Sequence, residues 1–210
     1  MCVRLFLEQG YKNTSVGQIV DEAGVARGSY LNLFPTKDRI LLELTETMFG
    51  GQFGVARSIA DSKLPPVYAY AVETAIQLTL TELNENLREI YIEAYTQKEA
   101  SEFIFRETAK ELYQIFGPYQ PELTARDFYD MEIGSASMMR GYMARRCDPY
   151  FTLERKIRRY LSMSLSALQV PAQEREQVIA FVAEIDMLAE ARKVIDAVLA
   201  SLSVQFDLKG

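Results

Sequence analysis

The side chains of this chain that could do chemistry are carboxylates, tyrosines, lysines and two cysteines, because its 210 residues include no histidine. Histidine is the commonest general base and the commonest ligand of transition metals. Without it, no cysteine or serine has the partner of a usual catalytic triad. Cys2 and Cys147 have no metal-ligand spacing, and neither common glycine-rich phosphate loop occurs. We therefore expect no catalytic residues, no metal and no cofactor. A helical enzyme would have to work with carboxylates, Tyr and Lys alone.

The charge distribution limits how the chain could bind a polyanion. There are 23 Lys and Arg residues against 29 Asp and Glu, and the net charge of −6 argues against coating nucleic acid by bulk charge. Residues 1–48 hold five of the basic and six of the acidic residues. Binding to DNA would therefore depend on the placement of a few cations.

The composition is that of a globular domain, with 49% hydrophobic and 25% charged residues. The apolar run 178–183 is far shorter than the roughly 18 residues that a membrane span needs. Glu8 interrupts the apolar run at the beginning of the chain, unlike in a secretory signal. Two cysteines without a disulfide framework favour a reducing compartment, so we expect a cytoplasmic protein with no membrane partner.

Glycine, proline and capping residues divide the sequence into helices. The spacing of apolar residues predicts short helices over 3–9, 16–23 and 27–33 and a longer one over 37–49. Gly10 and Gly24 are predicted helix ends, Thr14 or Ser15 is predicted to cap the second helix, and Thr36 the fourth. Further helices are predicted at the following ranges: 65–83, 85–97, 101–116, 124–146, 153–169 and 174–203, with room for one break in the last. No alternating apolar segment of useful length occurs, so the predicted fold class is all-α.

Three short helices followed by a longer one within 50 residues are typical of a helix-turn-helix arrangement. The turn between the second and third helices is only Gly24-Val25. A turn this tight sets the two helices steeply across each other and exposes one face of the third, which a DNA major groove can accept. The same spacing also fits a small helical bundle that does not bind DNA.

The residues at these positions closely resemble the DNA-binding domain of the tetracycline-repressor-like (TetR) family. The resemblance covers about residues 3–49 and is carried by these segments: Leu5-Phe6, Gly10-Tyr11, Thr14-Ser15-Val16, Ile19, Ala23-Gly24-Val25, Gly28-Ser29, Phe34-Pro35-Thr36-Lys37 and Leu41-Leu42. It implies a helix-turn-helix DNA-binding domain at 1–49 and a larger helical ligand-binding and dimerisation domain at 50–210. By this resemblance the chain would be no enzyme but a dimeric repressor, released from double-stranded operator DNA by a small molecule.

The resemblance also assigns residues to the DNA. Those that match its recognition helix or phosphate-contacting positions are Thr14, Ser15, Arg27, Gly28, Ser29, Tyr30, Asn32 and Lys37. Arg27 could read a guanine, Gly28 could let the backbone approach the duplex, and Lys37 looks like the family's phosphate-binding lysine. Arg27 could instead be a solvated cation, Gly28 a tolerated helix break, and Thr14 and Ser15 plain N-caps.

Three features depart from the family pattern. Only nine residues precede Gly10, where the family usually has a fuller first helix. Ala26 replaces the usual small hydroxyl residue at the beginning of the recognition helix, and Leu31 replaces a usual tyrosine. Because leucine cannot donate a hydrogen bond to a phosphate, that contact is either missing or made by Tyr30.

Aromatic and methionine side chains in the second half predict a pocket for an apolar or aromatic ligand. The candidate ligand-binding residues are Tyr91, Tyr95, Phe103, Phe116, Met138 and Tyr142. Each could instead fill the core between helices. Glu93 and Glu132 lie in apolar helical stretches and could select a cationic ligand if buried, although the surface is the simpler place for both.

The segments 153–169 and 174–203 are predicted to form the homodimer, because the second has a wider apolar face than a solvent-facing terminal helix needs. The basic run 155–159 is predicted to be a solvated helix face. An alternative function remains open, an all-α interaction or sensor module that has lost DNA binding. Leu31, the short first helix and the acidic balance favour it.

Overall fold

The computed structural model describes residues 2–24, 26–49, 52–60 and 63–207, and within them it contains helices and no strand. The all-α prediction is therefore confirmed. The first four helices are α1 Cys2–Gln9, α2 Val16–Ala23, α3 Arg27–Leu33 and α4 Lys37–Phe49. The next four are α5 Gln52–Ile59, α6 Pro66–Leu83, α7 Glu85–Ala94 and α8 Lys98–Phe116. After a short 3-10 turn, Gly117–Tyr119, the last four are α9 Ala125–Ala144, α10 Leu153–Ala167, α11 Ala172–Ala183 and α12 Met187–Asp207.

The residues predicted to end or cap the first helices lie at helix ends in the structure. Gly10 and Gly24 have φ of +90° and +62°, the left-handed conformation that favours glycine. Ser15, rather than Thr14, caps α2: the Gln18 amide donates to its hydroxyl, and its own amide donates to the Gln18 side chain. The Thr36 hydroxyl accepts from the Arg39 amide at 3.3 Å.

The structure differs from the predicted helices in two regions. Helix α5 was not predicted, because the glycines around it obscured the end of α4; two of these, Gly50 and Gly51, lie outside the described residues. The predicted helix 174–203 is broken over 184–186, where the Asp186 carboxylate accepts from the Ala189 amide and begins a new helix.

Helix α6 lies at the centre of the fold. It packs against α5, α7, α10, α11 and α12, and its residues 69–81 are buried on every side. One hydrophobic cluster extends from Phe6 and Ile19 through Leu41 to Leu78 and Leu165. The predicted domain boundary at residue 49 remains a prediction. The helices before and after it contribute to the same hydrophobic core.

A buried charge network ties the middle helices together. Lys156 is fully buried on α10, and its ammonium donates to Glu82 of α6 at 2.6 Å. Arg88 of α7 pairs with the other Glu82 oxygen at 3.0 Å. The basic run 155–159 is therefore not wholly solvated, although its arginines are exposed. No helix of the described residues is long and apolar enough to cross a membrane.

Helix α1 is anchored to α7 at the point where Gly10 ends it. The Asn86 side-chain amide donates to the Leu7 carbonyl at 2.8 Å, and a Cβ on Gly10 would lie 2.6 Å from a Glu89 carboxylate oxygen. At Gly24, with the same left-handed backbone, a Cβ would meet nothing within 4 Å. A comparison of substitutions at the two glycines therefore distinguishes the cost of a left-handed backbone from the cost of steric crowding.

We expect Gly24→Ala to lower the free energy of unfolding by about 1–2 kcal/mol, the cost of a left-handed L-residue. Gly10→Ala should lose more, because Glu89 must also move away from the turn. Urea denaturation measures both, and the excess loss should vanish when Gly10→Ala is made together with Glu89→Ala. Equal losses at the two glycines would show that α7 does not crowd this turn.

Candidate nucleic-acid interface

Helix α3 follows α2 after the Gly24 turn and presents one side to solvent. Helical geometry of 3.6 residues per turn places Arg27, Gly28, Leu31 and Asn32 within one arc of less than half the circumference. All four are exposed, whereas Tyr30 on the opposite side is only 6% exposed and packs against Phe34 with ring centroids 5.5 Å apart. The arc of 27, 28, 31 and 32 is called the α3 face below.

Arg27 differs from the other cations of the first four helices. Among the described residues it has neither an ion pair nor a hydrogen-bond partner for its guanidinium. Arg4 pairs with Glu22, Lys12 with Glu93 at 2.9 Å, and Arg39 with Glu43 at 3.0 Å. Arg27 is also at the first position of α3, whose N-cap Ala26 supplies no side-chain hydrogen bond. This end of α3 therefore offers an uncommitted guanidinium beside uncapped amide groups.

Lys37 and Thr14 hold the turn between α1 and α2. The Lys37 ammonium donates to the carbonyls of Tyr11 at 2.8 Å and Thr14 at 3.1 Å, and it lies 4.2 Å from the centre of the Tyr11 ring. The Thr14 hydroxyl donates to the Gly10 carbonyl at 2.7 Å. Because an ammonium has three donors, Lys37 keeps one for another acceptor.

Tyr11 adds a second link from the turn to α4. Its hydroxyl donates to the Asp38 carboxylate at 2.6 Å, and burial together with this carboxylate raises the pKa of Tyr11 well above its ordinary value. The hydroxyl therefore stays protonated and keeps donating at any physiological pH. The start of α4 is thus fastened to the turn at two adjacent residues.

The structure places the eight predicted DNA-contacting residues in different environments. Those that lie exposed on α3 or at the beginning of α2 are Ser15, Arg27, Gly28 and Asn32. Thr14 and Tyr30 are buried, so neither side chain reaches the surface, and Lys37 is half-buried. Tyr30 is buried because its helical position directs it away from the α3 face. The buried Thr14 hydroxyl is satisfied by its hydrogen bond across the turn. The Ser29 side chain lies outside the described residues.

Leu31 was not assigned to this surface, yet it is 36% exposed on the α3 face. Counting by helical turns from Arg27 would have placed Leu31 on this face and Tyr30 opposite to it. Because Tyr30 is buried, the structure favours the alternative in which the phosphate contact of the usual tyrosine is missing. Packing within the chain does not require glycine at position 28, since a Cβ there would meet open space.

Three of the six predicted ligand-binding residues come together around Phe49, at the end of α4. The rings of Tyr91 and Tyr95 lie 6.3 Å and 6.0 Å from the Phe49 ring, centre to centre. Phe49, Phe53 and Phe103 line a cleft of about 540 Å³ between α4, α5 and α8, here called the phenylalanine cleft. Its other lining residues are Gly54, Arg57, Glu107, Thr108 and Glu111.

The other three predicted ligand-binding residues lie elsewhere. Phe116 is fully buried and packs edge-on against Tyr70 at 5.0 Å. Met138 and Tyr142 are half-buried on α9, where they line a shallow groove with Phe151. The six residues therefore do not form one pocket.

Two buried acids lie in the helices around Tyr95. Glu132 is buried on α9, as a ligand-selecting carboxylate would have to be, and Glu73 is buried on α6. Burial, with the charge of Glu73, raises the pKa of Glu132 to about 8, and burial raises that of Glu73 to about 7. Glu73 was not singled out in the sequence, although Glu73 and Gln77 are one turn apart in a mainly apolar helix. The residues that the structure describes include no group of acids and cysteines able to hold a metal ion.

Residues 3–44 match the family described as "Bacterial regulatory proteins, tetR family". The chain is also similar to an uncharacterised HTH-type transcriptional regulator, YuxN, of Bacillus subtilis (strain 168), with 30% identity over 87 residues. That alignment covers 41% of this chain and 28% of the length of the relative. No solved structure matches the chain.

The half-buried Lys37 ammonium should contribute to stability before any DNA is present. We expect Lys37→Met to lower the free energy of unfolding by about 1–3 kcal/mol, because two carbonyls of the turn lose a charged donor. Arg39→Met, two residues later on α4, removes only an exposed ion pair and should cost less than about 1 kcal/mol.

Urea denaturation without DNA measures the two variants. Similar losses for Lys37→Met and Arg39→Met would contradict the assignment of Lys37 to the turn.

Proposed function

We propose that this chain, which belongs through its residues 3–44 to the tetR family of bacterial regulatory proteins, is a ligand-responsive repressor that binds operator DNA as a homodimer. The observation that carries the DNA-binding proposal is the α3 face, which is exposed and helical and contains an arginine that pairs with no acid among the described residues. The relative in Bacillus subtilis supports it by its description as an HTH-type regulator.

The α3 face suits direct contact with base edges. Arg27 can donate two hydrogen bonds to guanine, and Asn32 can pair in the same way with adenine. Gly28 lies between them without a side chain, so the backbone of α3 can approach the floor of a groove. The amide groups at the beginning of α2, beside exposed Ser15, can donate hydrogen bonds to a phosphate.

The phosphate contacts are few, which fits the acidic balance of the chain. The exposed ion pairs of Arg4 and Arg39 are worth little and can be exchanged for phosphates. Binding should then lose affinity with rising salt by a modest slope, because few counterions are released. Specific contacts from the α3 face must supply the rest of the affinity for DNA.

The homodimer is best supported by one face of α9 and α10. Met163 of α10 is a large apolar residue that is 51% exposed and lines a groove of about 330 Å³ between the two helices. Ile133 of α9 is also exposed, at 42%. Asp130 at one end of this face and Arg159 at the other are exposed without an ion-pair partner among the described residues. A two-fold axis through the middle of the face would bring the acid of one protomer toward the arginine of the other.

The segment 174–203 is less suited to the interface than its sequence predicted. Val178, Ile179 and Val182 are buried within the chain, and Phe181 packs against Tyr68 at 5.2 Å. The apolar face of α11 is therefore already covered by α6 and α10. The segment 153–169 remains in the proposal through α10.

The effector, meaning the small molecule that releases the repressor, is proposed to bind around the phenylalanine cleft. Helix α7 links this region to the DNA-binding helices. Tyr91 and Tyr95 contact Phe49 from one side of α7, while Asn86 and Glu93 bind Leu7 and Lys12 from another. By linkage, a ligand that shifts α7 and weakens DNA binding must itself bind the free form more tightly.

A second function, an interaction module without DNA binding, is favoured by Leu31 alone. Its exposed side chain lies in the middle of the α3 face, where a protein partner would suit it better than a phosphate. The experiment on Arg27 separates the two functions.

We expect Arg27→Ala to weaken binding to the promoter region beside the gene by ~1–3 kcal/mol, while binding to unrelated duplexes changes little. Lys37→Ala should weaken binding to both alike. Fluorescence anisotropy at a stated salt concentration measures the ratio of the two affinities. An unchanged ratio in Arg27→Ala would remove its base-reading role, and equal affinities of the unsubstituted protein for both duplexes would favour the interaction module.

For the dimer, Met163→Glu should give a monomer at micromolar concentration in sedimentation, because it puts two carboxylates near the two-fold axis. Leu188→Glu is the matched control, since Leu188 is 44% exposed on α12 and lines a different groove from the one between α9 and α10. A dimer that survives Met163→Glu but not Leu188→Glu would place the interface on the terminal helix instead.

A further inference from the structure

The phenylalanine cleft is lined by aromatic rings from three helices. Phe49 is the last residue of α4, Phe53 lies on α5 and Phe103 lies on α8, and all three side chains are half-buried. The volume of about 540 Å³ is within the range of pockets that hold a small organic molecule. Aromatic rings attract another ring through offset and edge-on contacts, in addition to the burial of apolar area. The cleft therefore suits a flat aromatic ligand.

The charged residues that line the cleft already have partners. The Arg57 guanidinium donates to the Glu111 carboxylate and lies 6.0 Å from the centre of the Phe53 ring. The Glu107 carboxylate accepts from the Lys110 ammonium at 2.5 Å. An ionic ligand would therefore lose its hydration in the cleft without gaining an unpaired charge of opposite sign. This pairing favours an uncharged ligand.

The two buried acids do not alter this conclusion. Glu73 and Glu132 are not among the residues that line the cleft. Their hydrogen-bond donors are the neutral side chains of Gln77 and Ser135. The expectation that Glu132 could select a cationic ligand therefore has no support at this cleft.

Thr108 offers the cleft a hydroxyl group that the chain does not use. The hydroxyls of Thr45 and Thr79 each donate to the carbonyl one turn earlier at 2.7 Å. The Thr108 hydroxyl forms neither this bond nor another one within the described part of the chain. Its side chain is half-buried on α8 and lines the cleft. Because a hydroxyl can donate and accept, Thr108 can bind a hydroxyl or carbonyl oxygen of a ligand.

Gly54 leaves the backbone of α5 open where it lines the cleft. Unlike Gly10 and Gly24, it does not have a left-handed backbone, and a Cβ on it would meet nothing within 4 Å. Neither conformation nor packing within the described residues therefore requires glycine there, although alanine is the better helix former. The missing side chain does allow the flat face of a ligand to lie against the helix backbone.

We infer that the effector is a flat, uncharged aromatic molecule that carries one hydroxyl or carbonyl oxygen. Its rings lie against Phe53, Phe103 and the backbone of Gly54, and its oxygen forms a hydrogen bond with Thr108. The inference rests on the proposed function, because it names the chemical class of the effector. It narrows the expected apolar or aromatic ligand to a neutral molecule with one polar group.

The test uses four bicyclic probes of similar size: 2-naphthol, naphthalene, 2-naphthoate and N-methylquinolinium. Isothermal titration of the full chain is done at pH 7, where 2-naphthol is neutral. We expect 2-naphthol to bind about tenfold more tightly than either ion, because an ion must lose its hydration. Its advantage over naphthalene should be roughly two- to tenfold, the range of one neutral hydrogen bond.

Thr108→Val keeps the shape of the side chain and removes its hydroxyl. It should abolish the advantage of 2-naphthol over naphthalene and leave the affinity for naphthalene unchanged. Thr47→Val, on α4 and outside the lining of the cleft, is the matched control and should change neither affinity.

Gly54→Ala separates ligand binding from folding. It should raise the midpoint of urea denaturation, because alanine favours the helix and its Cβ meets no atom of the chain. The same methyl group should hold the rings away from α5 and weaken binding of both neutral probes by about threefold or more. Gly141→Ala, at another helical glycine with open space around it, is the control and should leave binding unchanged.

Failure to bind 2-naphthol, or equally tight binding of either ion, would overturn the inference. An unchanged affinity in Gly54→Ala, or an unchanged advantage of 2-naphthol in Thr108→Val, would overturn it as well. DNA binding by the unsubstituted chain without a probe is measured in parallel. If DNA binding is intact but 2-naphthol is not preferred, only the effector class is wrong. If 2-naphthol is preferred but no DNA is bound, the proposed function fails and the site for a neutral ligand stands.

Discussion

The turn of residues 10–14 is the constraint on which the packing of α1 and α2 against α4 depends. Its chain reversal requires the left-handed backbone of Gly10, and its carbonyls are held by the Lys37 ammonium. The Thr14 hydroxyl donates to the Gly10 carbonyl after the end of α1, and Ser15 then caps the beginning of α2. One charged side chain from α4 thus ties α4 to the turn between α1 and α2.

The same turn connects the two halves of the chain through α7. Lys12 pairs with Glu93, and Gly10 lies against Glu89, so the polar side of α7 contacts the turn. Tyr95, at the end of α7, reaches the buried acids through Gln77. A ligand that displaced Tyr91 or Tyr95 from Phe49 would act on the helix that contacts the turn. This arrangement gives a short route of contacts along α7 for the proposed coupling between ligand binding and DNA binding. By linkage, such coupling is reciprocal.

The sequence was sufficient where structure is set by near neighbours. The bounds 16–23, 27–33 and 37–49 follow from glycines, a proline and caps within a few residues, and the described helices agree with them. It was insufficient where side chains meet across the fold. Lys37 binds carbonyls more than twenty residues away, and Glu73 lies in a helix whose apolar residues hid it. Such contacts depend on how the helices pack, which local spacing does not determine.

The central claim is that two α3 faces, one from each protomer, read the same duplex. Selection of genomic DNA fragments by the full-length chain, at a stated salt concentration, tests it most directly. The account predicts enrichment of an inverted repeat whose half-sites lie about 34–36 Å apart, one helical turn, or a multiple of it. Enrichment no greater than for bulk DNA, or of sequences without two-fold symmetry, would contradict it.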